Sequence, residues 1–218
     1  MSNASQLLAR AEQADRFQAK CKRCVVNSAA RAVCSYTAWP DQTLAATADA
    51  IIKDPSVRTV ILHPTAEGGM PHTRAEGLIC LPAYYPEAKL HTTLKHEMIH
   101  ISQRRQSTLW ASRAIIDGWK KVDEDDLPQE WVRRCRLNPD TAENRWFAWE
   151  GRYVPLPLFV REDRPELRDV VVRWYDMKEW RVDSRAPASM VKKYGNLGTS
   201  SMEHPYELWA YEGERQMK

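Results

Sequence analysis

LHTTLKHEMIHISQR, residues 90–104, contains two histidines four positions apart and a glutamate directly after the first. The stretch has neither proline nor glycine. Its apolar residues Leu94, Met98 and Ile101 recur at helical spacing, on a face distinct from that of the two histidines. We therefore predict an amphipathic helix that turns its apolar side to a core and its histidines to a separate site.

The polar face of this helix has the composition of a zinc site. His96 and His100 lie one turn apart on the same face, so both imidazoles can point at one ion. Glu97 sits one position round from His96, beside the ion, where a carboxylate can take a proton from a zinc-activated water. The stretch thus predicts two metal ligands and a general base. The competing interpretation is a polar helix with solvated histidines.

A catalytic zinc takes three protein ligands and keeps one position open, so a third ligand must lie elsewhere. Residues 200–216, SSMEHPYELWAYEGERQ, predict a second helix with Pro205 at its first position. Glu207 then lies in the first turn, and Ala210 on the same face is small enough for close helix packing. We predict Glu207 as the third ligand, although an acid in a first turn also needs no metal. The alternatives left open are Glu203, His204, Glu143 and Glu150.

The first half of the chain predicts helices and strands in an α+β order. Residues 5–34 indicate one or two helices, and residues 39–55 a short amphipathic helix between two prolines. Residues 57–64, VRTVILHP, and 77–86, GLICLPAYYP, are typical of buried strands. The segment between them, 65–76, holds two adjacent glycines and a proline, which predicts a loop. Helix, strands and motif helix together indicate the α+β class.

The second half is less regular. Residues 107–122 keep apolar residues at helical intervals, and a strand is predicted near Val170 to Trp174. The chain has nine tryptophans, several of them between positions 131 and 180. We therefore expect an aromatic core in this half.

Composition limits the classes of function. With 218 residues, 43% of them hydrophobic, the chain can bury a core. Its net charge of +3 is mild, so neither nucleic acid nor an anionic membrane is indicated. No apolar run is long enough to span a membrane, and the N-terminus lacks the apolar stretch of a signal peptide. These features, with an odd number of five scattered cysteines, predict a soluble intracellular protein without a membrane partner.

HEMIH, residues 96–100, and EHPYELWAY, residues 203–211, together resemble the zinc metallopeptidases of the gluzincin type. The stretch MPHTRAEGLICLP before the motif is also similar to that of small uncharacterised zincin-like proteins. The resemblance implies a zincin-like fold: N-terminal helices, a small mixed sheet, the HExxH helix and a C-terminal glutamate helix. We expect an N-terminal helical segment over 1–55 and one zincin-like domain over 56–218.

The same resemblance implies a reaction and its residues. His96, His100 and Glu207 would bind Zn²⁺, and Glu97 would be the general base in hydrolysis of a peptide bond by a zinc-activated water. The substrate would be a protein or peptide, and GLICLP would bind its extended backbone along the cleft edge. A tyrosine or histidine would stabilise the oxyanion. His204 is the first choice for that role, and the alternatives are Tyr153, Tyr206 and Tyr211.

Two other functions are carried forward. The first is a SprT-like peptidase acting on DNA-bound proteins, which would use a histidine as third ligand. No histidine closely follows the motif helix, and a pair of CxxC motifs is absent from the sequence. The second is a non-catalytic, zincin-shaped binding or structural module. A structural zinc site has no need of a carboxylate such as Glu97 beside its ligands.

Overall fold

The structure is a computed structural model that describes residues 3–195 and 198–215, and it belongs to the α+β class. Its first half combines helices with three strands. These elements are α1 (Asn3–Asp15), α2 (Phe17–Lys22), α3 (Val25–Ala30), α4 (Gln42–Ile52), β1 (Arg58–Leu62), β2 (His72–Arg74), β3 (Leu78–Pro82) and α5 (Glu87–Arg105).

The second half adds five strands and the remaining described helices. These elements are α6 (Ser107–Asp117), β4 (Trp119–Lys121), α7 (Gln129–Val132), β5 (Phe147–Trp149), β6 (Tyr153–Phe159), β7 (Val170–Asp176), β8 (Arg181–Asp183), α8 (Ala188–Tyr194), α9 (Thr199–Met202) and α10 (Pro205–Arg215). None of the helices in the described ranges is both long and apolar enough to cross a membrane.

The first sheet is small and mixed, with strand order β1-β3-β2. β1 runs parallel to β3, and β2 runs antiparallel to it. The predicted strands at 57–64 and 77–86 are confirmed as β1 and β3. The segment 65–76 is not only a loop, because it contains β2. Since β3 pairs on both sides, GLICLP is the central strand, and the expectation that it forms the cleft edge is wrong. The edge strands are β1 and β2.

One face of this sheet packs on α4 and α5. Ile79 and Leu81 of β3 contact Leu90, Leu94 and Ile101 of α5 in a buried cluster. The predicted amphipathic pattern of the motif helix is therefore confirmed. Packing of this apolar side leaves the opposite side of α5 turned toward α10.

The other face of the first sheet packs on α1 through Ala11, Val60, Leu62 and neighbouring apolar residues. Both α1 and α4, which lie within the expected N-terminal segment 1–55, thus pack on the sheet of the following segment.

The second sheet is antiparallel throughout, with strand order β4-β5-β6-β7-β8. Its Trp119, Trp149 and Trp174 pack with Tyr206 and Trp209 of α10 in one aromatic cluster. The aromatic core predicted for this half is therefore present. α10 is held by this sheet on one side and packs on α5 on the other.

α10 approaches α5 closely. Ala210 is fully buried, and a Cβ added at Gly213 would lie only 2.4 Å from Cδ1 of Ile99. Small residues at these positions therefore bring the first turn of α10, with Glu207, next to the histidines of α5.

Candidate metal centre

The centre is built on the middle turns of α5. His96, Glu97 and His100 are all buried, and His100 is completely inaccessible to solvent. The helix runs uninterrupted from Glu87 to Arg105, so the backbone fixes the spacing of the three side chains.

α10 brings Glu207 to these histidines, as predicted from Pro205 at the start of that helix. The Nε2 atoms of His96 and His100 are 3.0 Å apart. Glu207 places Oε2 3.5 Å from the His96 nitrogen and Oε1 3.6 Å from the His100 nitrogen. All three donor atoms lie within 4.8 Å of one another. The three side chains predicted as metal ligands therefore converge at one point.

The partner of Nδ1 on each imidazole determines whether its Nε2 presents a lone pair to this point. His100 Nδ1 lies 2.7 Å from Gln103 Oε1, and Gln103 donates its amide N–H to the Tyr206 carbonyl at 3.0 Å. Because that bond fixes the amide orientation, His100 Nδ1 carries a proton and Nε2 presents a lone pair. On the other histidine, Nδ1 lies 2.8 Å from a carboxylate oxygen of Glu214, in a contact that is not aligned as a hydrogen bond.

This arrangement fits a zinc ion. Two neutral imidazole lone pairs and a carboxylate directed at one point repel one another unless a cation lies between them. Zinc bonds of about 2.0–2.2 Å at tetrahedral angles separate the ligand atoms by roughly 3.3–3.5 Å. Each nitrogen lies about this far from one Glu207 oxygen, His96 Nε2 at 3.5 Å from Oε2 and His100 Nε2 at 3.6 Å from Oε1, and the two nitrogens are 3.0 Å apart. The carboxylate therefore faces the site with both of its oxygens. The outer hydrogen bond from His100 to Gln103 is also of the type that orients a histidine ligand.

Without a metal, protons supply the positive charge. Burial disfavours a charged imidazole, but Glu207 and Glu214 outweigh burial and raise the pKa of His96 to about 11. For His100, burial is likewise outweighed by Glu207 and Asp140, and its pKa rises to about 9. The site therefore favours a positive charge, whether protons or a metal ion supply it.

Glu97 stands beside the ligands with one oxygen free. The residue is 3% exposed, and its Oε2 is buried without a hydrogen-bond partner in the described parts of the chain. Burial, followed by the negative charge of Asp140, raises the pKa of this carboxyl to about 8 in the metal-free chain. A carboxyl group with these properties can accept and return a proton near neutral pH.

The centre lies in a cleft of about 240 Å³. His96, Glu97 and Glu207 line it, together with residues 136–140, which we call the cleft strap. The remaining lining residues are Glu67, Met70, Pro71, His72, Tyr85, Thr93, Glu203, Tyr211 and Glu214.

The cleft strap holds Glu207 in place through Asn138. The Asn138 amide donates to Glu207 Oε1 at 2.8 Å and to Glu203 Oε1 at 2.7 Å. Arg136 donates to both oxygens of Glu203, at 2.8 and 2.6 Å. The sequence gives no sign of this role for Asn138, because an Asn-Pro-Asp stretch signals only a turn.

Asp140 of the same strap was also missed. Its Oδ1 accepts from the Thr73 backbone N–H at 2.6 Å and from the Thr73 hydroxyl at 2.7 Å. This contact ties the strap to β2 across a long stretch of sequence, and no local pattern would have revealed it.

His204 does not lie in the cleft, so its expected role as oxyanion stabiliser is wrong. Its Nε2 donates to the Asn144 carbonyl at 2.6 Å, and its Nδ1 accepts from the Tyr206 backbone N–H at 3.1 Å. The ring packs edge-on against Phe147, and burial lowers its pKa to about 4. With both nitrogens engaged, His204 stabilises the start of α10.

Among the tyrosines named as alternatives, Tyr211 lines the cleft. Its ring packs against His96 with centroids 4.7 Å apart. Tyr206 and Tyr153 instead pack with the aromatic cluster of the second sheet. Tyr211 therefore replaces His204 as the candidate oxyanion donor.

The other acids considered as third ligands have different partners. Glu203 is paired with Arg136, and Glu143 lies 2.7 Å from Arg104. Glu150 is exposed in the turn between β5 and β6. In the described ranges, the group able to hold a metal contains Glu207 and none of these acids.

Comparisons with protein-family models, curated proteins and solved structures found no match for this chain. The resemblance to gluzincin-type metallopeptidases therefore stays a prediction.

Proposed function

We propose that the protein is a zinc-dependent metallopeptidase that hydrolyses peptide bonds, with His96, His100 and Glu207 as zinc ligands. The observation that carries the proposal is the convergence of these three donors within 4.8 Å, beside a buried carboxyl group with a free oxygen. Two histidines and one glutamate are an established ligand set of catalytic zinc, which leaves a fourth position open.

When bound, zinc would supply Lewis acidity toward a peptide carbonyl and toward water. Glu97 would take the proton of the attacking water at Oε2 and return it to the leaving amine. Tyr211 would donate its phenolic hydrogen to the oxygen that develops negative charge. Glu214 and Gln103 would keep the two imidazoles oriented, and Asn138 would keep Glu207 oriented.

The free oxygen of Glu97 favours a catalyst over a purely structural module. A buried acceptor without a partner costs stability, on the order of 1–3 kcal/mol. A structural site would gain nothing from this cost, whereas a general base requires a free oxygen beside the metal.

The SprT-like alternative would need a histidine as third ligand. His204, the only histidine after the motif helix, is engaged by backbone groups instead.

Metal content and hydrolysis together test the proposal. The purified chain should bind about one zinc, and His96→Ala and Glu207→Ala should lose it, since two ligands hold catalytic zinc poorly. Glu97→Gln should keep zinc and lose about 10²–10⁴ in kcat/KM on a peptide library. Glu150→Gln, an exposed acid, is the matched control and should change neither quantity. Wild-type chain that takes up no added zinc would contradict the proposal, as would full activity of Glu97→Gln.

A further inference from the structure

β2 is an edge strand of the first sheet, and the mechanism proposed above does not use it. Its Thr73 donates its N–H to Asp140, so this residue turns its backbone groups away from β3. Outward backbone groups on an edge strand are what an extended peptide pairs with when it adds to a sheet. An edge next to a candidate catalytic centre would ordinarily serve as the substrate position.

Side chains already occupy this edge. Asp140 Oδ1 accepts from both the N–H and the hydroxyl of Thr73. Arg104 of α5 places Nη2 3.5 Å from the Thr73 carbonyl and 2.6 Å from the Pro139 carbonyl. A second strand has no free backbone group to pair with at Thr73.

The cleft strap that carries Asp140 is anchored along its length. The Leu137 N–H donates to the Asn27 side chain at 2.8 Å, and its carbonyl accepts from Arg31 at 2.7 Å. Asn138 is held by Glu203 and Glu207.

The ends of the strap are held as well. The Arg136 backbone N–H donates to the Pro157 carbonyl at 2.7 Å, and Pro139 is held by Arg104. Opening the strap would break all of these bonds together, several of them to buried charged groups. The strap is therefore a fixed wall and not a lid.

The space that remains is small. Pockets for drug-sized ligands measure roughly 300–1,000 Å³. The cleft, at about 240 Å³, lies below this range. A group smaller than a drug-sized ligand therefore fills the cleft itself.

We infer that the cleft takes a short peptide or the end of a chain, and that Asp140 determines this specificity by closing the edge of β2. The inference rests on the proposed function in that it assumes a peptide as the ligand. The closure of the edge itself does not depend on metal or on activity. It is therefore tested first and separately.

Amide hydrogen exchange at Thr73 measures the closure in the metal-free chain. In the wild type this amide should exchange slowly, because it is bonded to Asp140. Asp140→Ala should raise its exchange rate at least tenfold, and Asp140→Asn, which retains an acceptor oxygen, should stay near the wild-type rate. Equal exchange in wild type and Asp140→Ala would overturn the inference.

Binding of two zinc-directed probes measures the specificity. Acetyl-leucine hydroxamate and an acetylated tetrapeptide hydroxamate ending in the same leucine are titrated into the zinc-loaded chain. Their Kd values should agree within about threefold for the wild type, because the additional residues find no edge to pair with. In Asp140→Ala the tetrapeptide should bind at least tenfold more tightly than acetyl-leucine hydroxamate.

A wild-type chain that binds the tetrapeptide probe tenfold more tightly than the short one would overturn the inference. Failure of both probes to bind, with the Thr73 amide still protected, has a different meaning. It would contradict the proposed function and leave the closed edge supported.

Discussion

The two histidines of the centre, together with Glu207, require a positive charge between them. Their Nε2 atoms lie 3.0 Å apart beside a carboxylate, an arrangement that needs either protons or a metal ion between the donors. In the metal-free chain the pKa values of His96 and His100 are raised to about 11 and about 9, so protons supply this charge. If the proposed function holds, zinc and protons would compete for the same electron pairs.

This competition predicts proton release. At about pH 7, both pKa values lie above the pH, so the pair retains at least one proton that zinc must displace. Calorimetric titration with zinc in buffers of different ionisation enthalpy should show at least one proton released per zinc. Zinc affinity should rise between about pH 6 and pH 9, because fewer protons compete. Binding without proton release at about pH 7 would contradict this assignment.

Asn138 gives a second prediction for a single side chain. Its amide holds one oxygen of Glu207, so its loss should let the carboxylate rotate away from the histidines. Asn138→Ala should weaken zinc binding by about 10- to 100-fold, the usual effect of removing a group that orients a ligand. Competition with a chromophoric chelator measures the affinity. Asn144→Ala, an asparagine whose side chain contacts Lys121, is the control and should bind zinc like the wild type.

The side chains on regular elements could be predicted from the sequence, whereas those on the strap could not. Glu207 follows from Pro205 at a helix start and from Ala210 on the same face. Asn138 and Asp140 act through contacts with α10 and β2, more than 60 positions away in sequence. Periodicity carries information about neighbours within one element and none about contacts at such separations.

At the scale of elements, buried ion pairs determine how α1 joins the first sheet. Arg74 of β2 is 2% exposed and donates to Asp15 at 2.8 and 2.7 Å and to Glu12 at 2.6 Å. Its guanidinium also lies over the Phe17 ring, 5.1 Å from the centroid. The carboxyl pKa of Asp15 is lowered, because the Arg74 contacts outweigh burial. The sequence of residues 5–34 predicted helices and gave no sign of these ion pairs.

Removing this arginine should therefore be costly. Arg74→Ala leaves Asp15 buried without its partner and should lower the free energy of unfolding by about 3–5 kcal/mol. Arg58→Ala, an exposed arginine in β1 of the same sheet, should change it by no more than about 0.5 kcal/mol. Urea unfolding followed by circular dichroism gives both values. Equal stability of the two variants would show that α1 docks through its apolar contacts alone.

The sequence also predicted helices more reliably than sheet order. The helix at 42–52 and the motif helix follow from their apolar spacing, and both are confirmed. β2 was assigned to a loop, because Gly68, Gly69 and Pro71 precede a strand of only three residues. Which strand lies at the edge depends on pairing between distant segments. The apolar run of β3 would look the same in a central strand and in an edge strand.

At the scale of the whole molecule, the centre joins distant parts of the chain. His96 and His100 lie on the helix that covers the first sheet, and Glu207 lies on the helix that covers the second. Roughly 100 residues separate the histidines from the glutamate. An unfolded chain retains the two histidines near each other and loses the third ligand, so zinc should bind the folded state preferentially.

This preference predicts a thermal shift. Zinc at about 100 times its Kd should stabilise the fold by about 2.7 kcal/mol. At about 2–4 °C per kcal/mol for a chain of this size, Tm should rise by about 5–11 °C. Glu97→Gln keeps the ligands and should show the same rise in differential scanning calorimetry. Glu207→Ala should show little rise, because the two remaining ligands hold zinc poorly and do not connect α5 to α10. A full rise in Glu207→Ala would place the zinc on donors of α5 alone, and the two halves of the molecule would then not be joined through the metal.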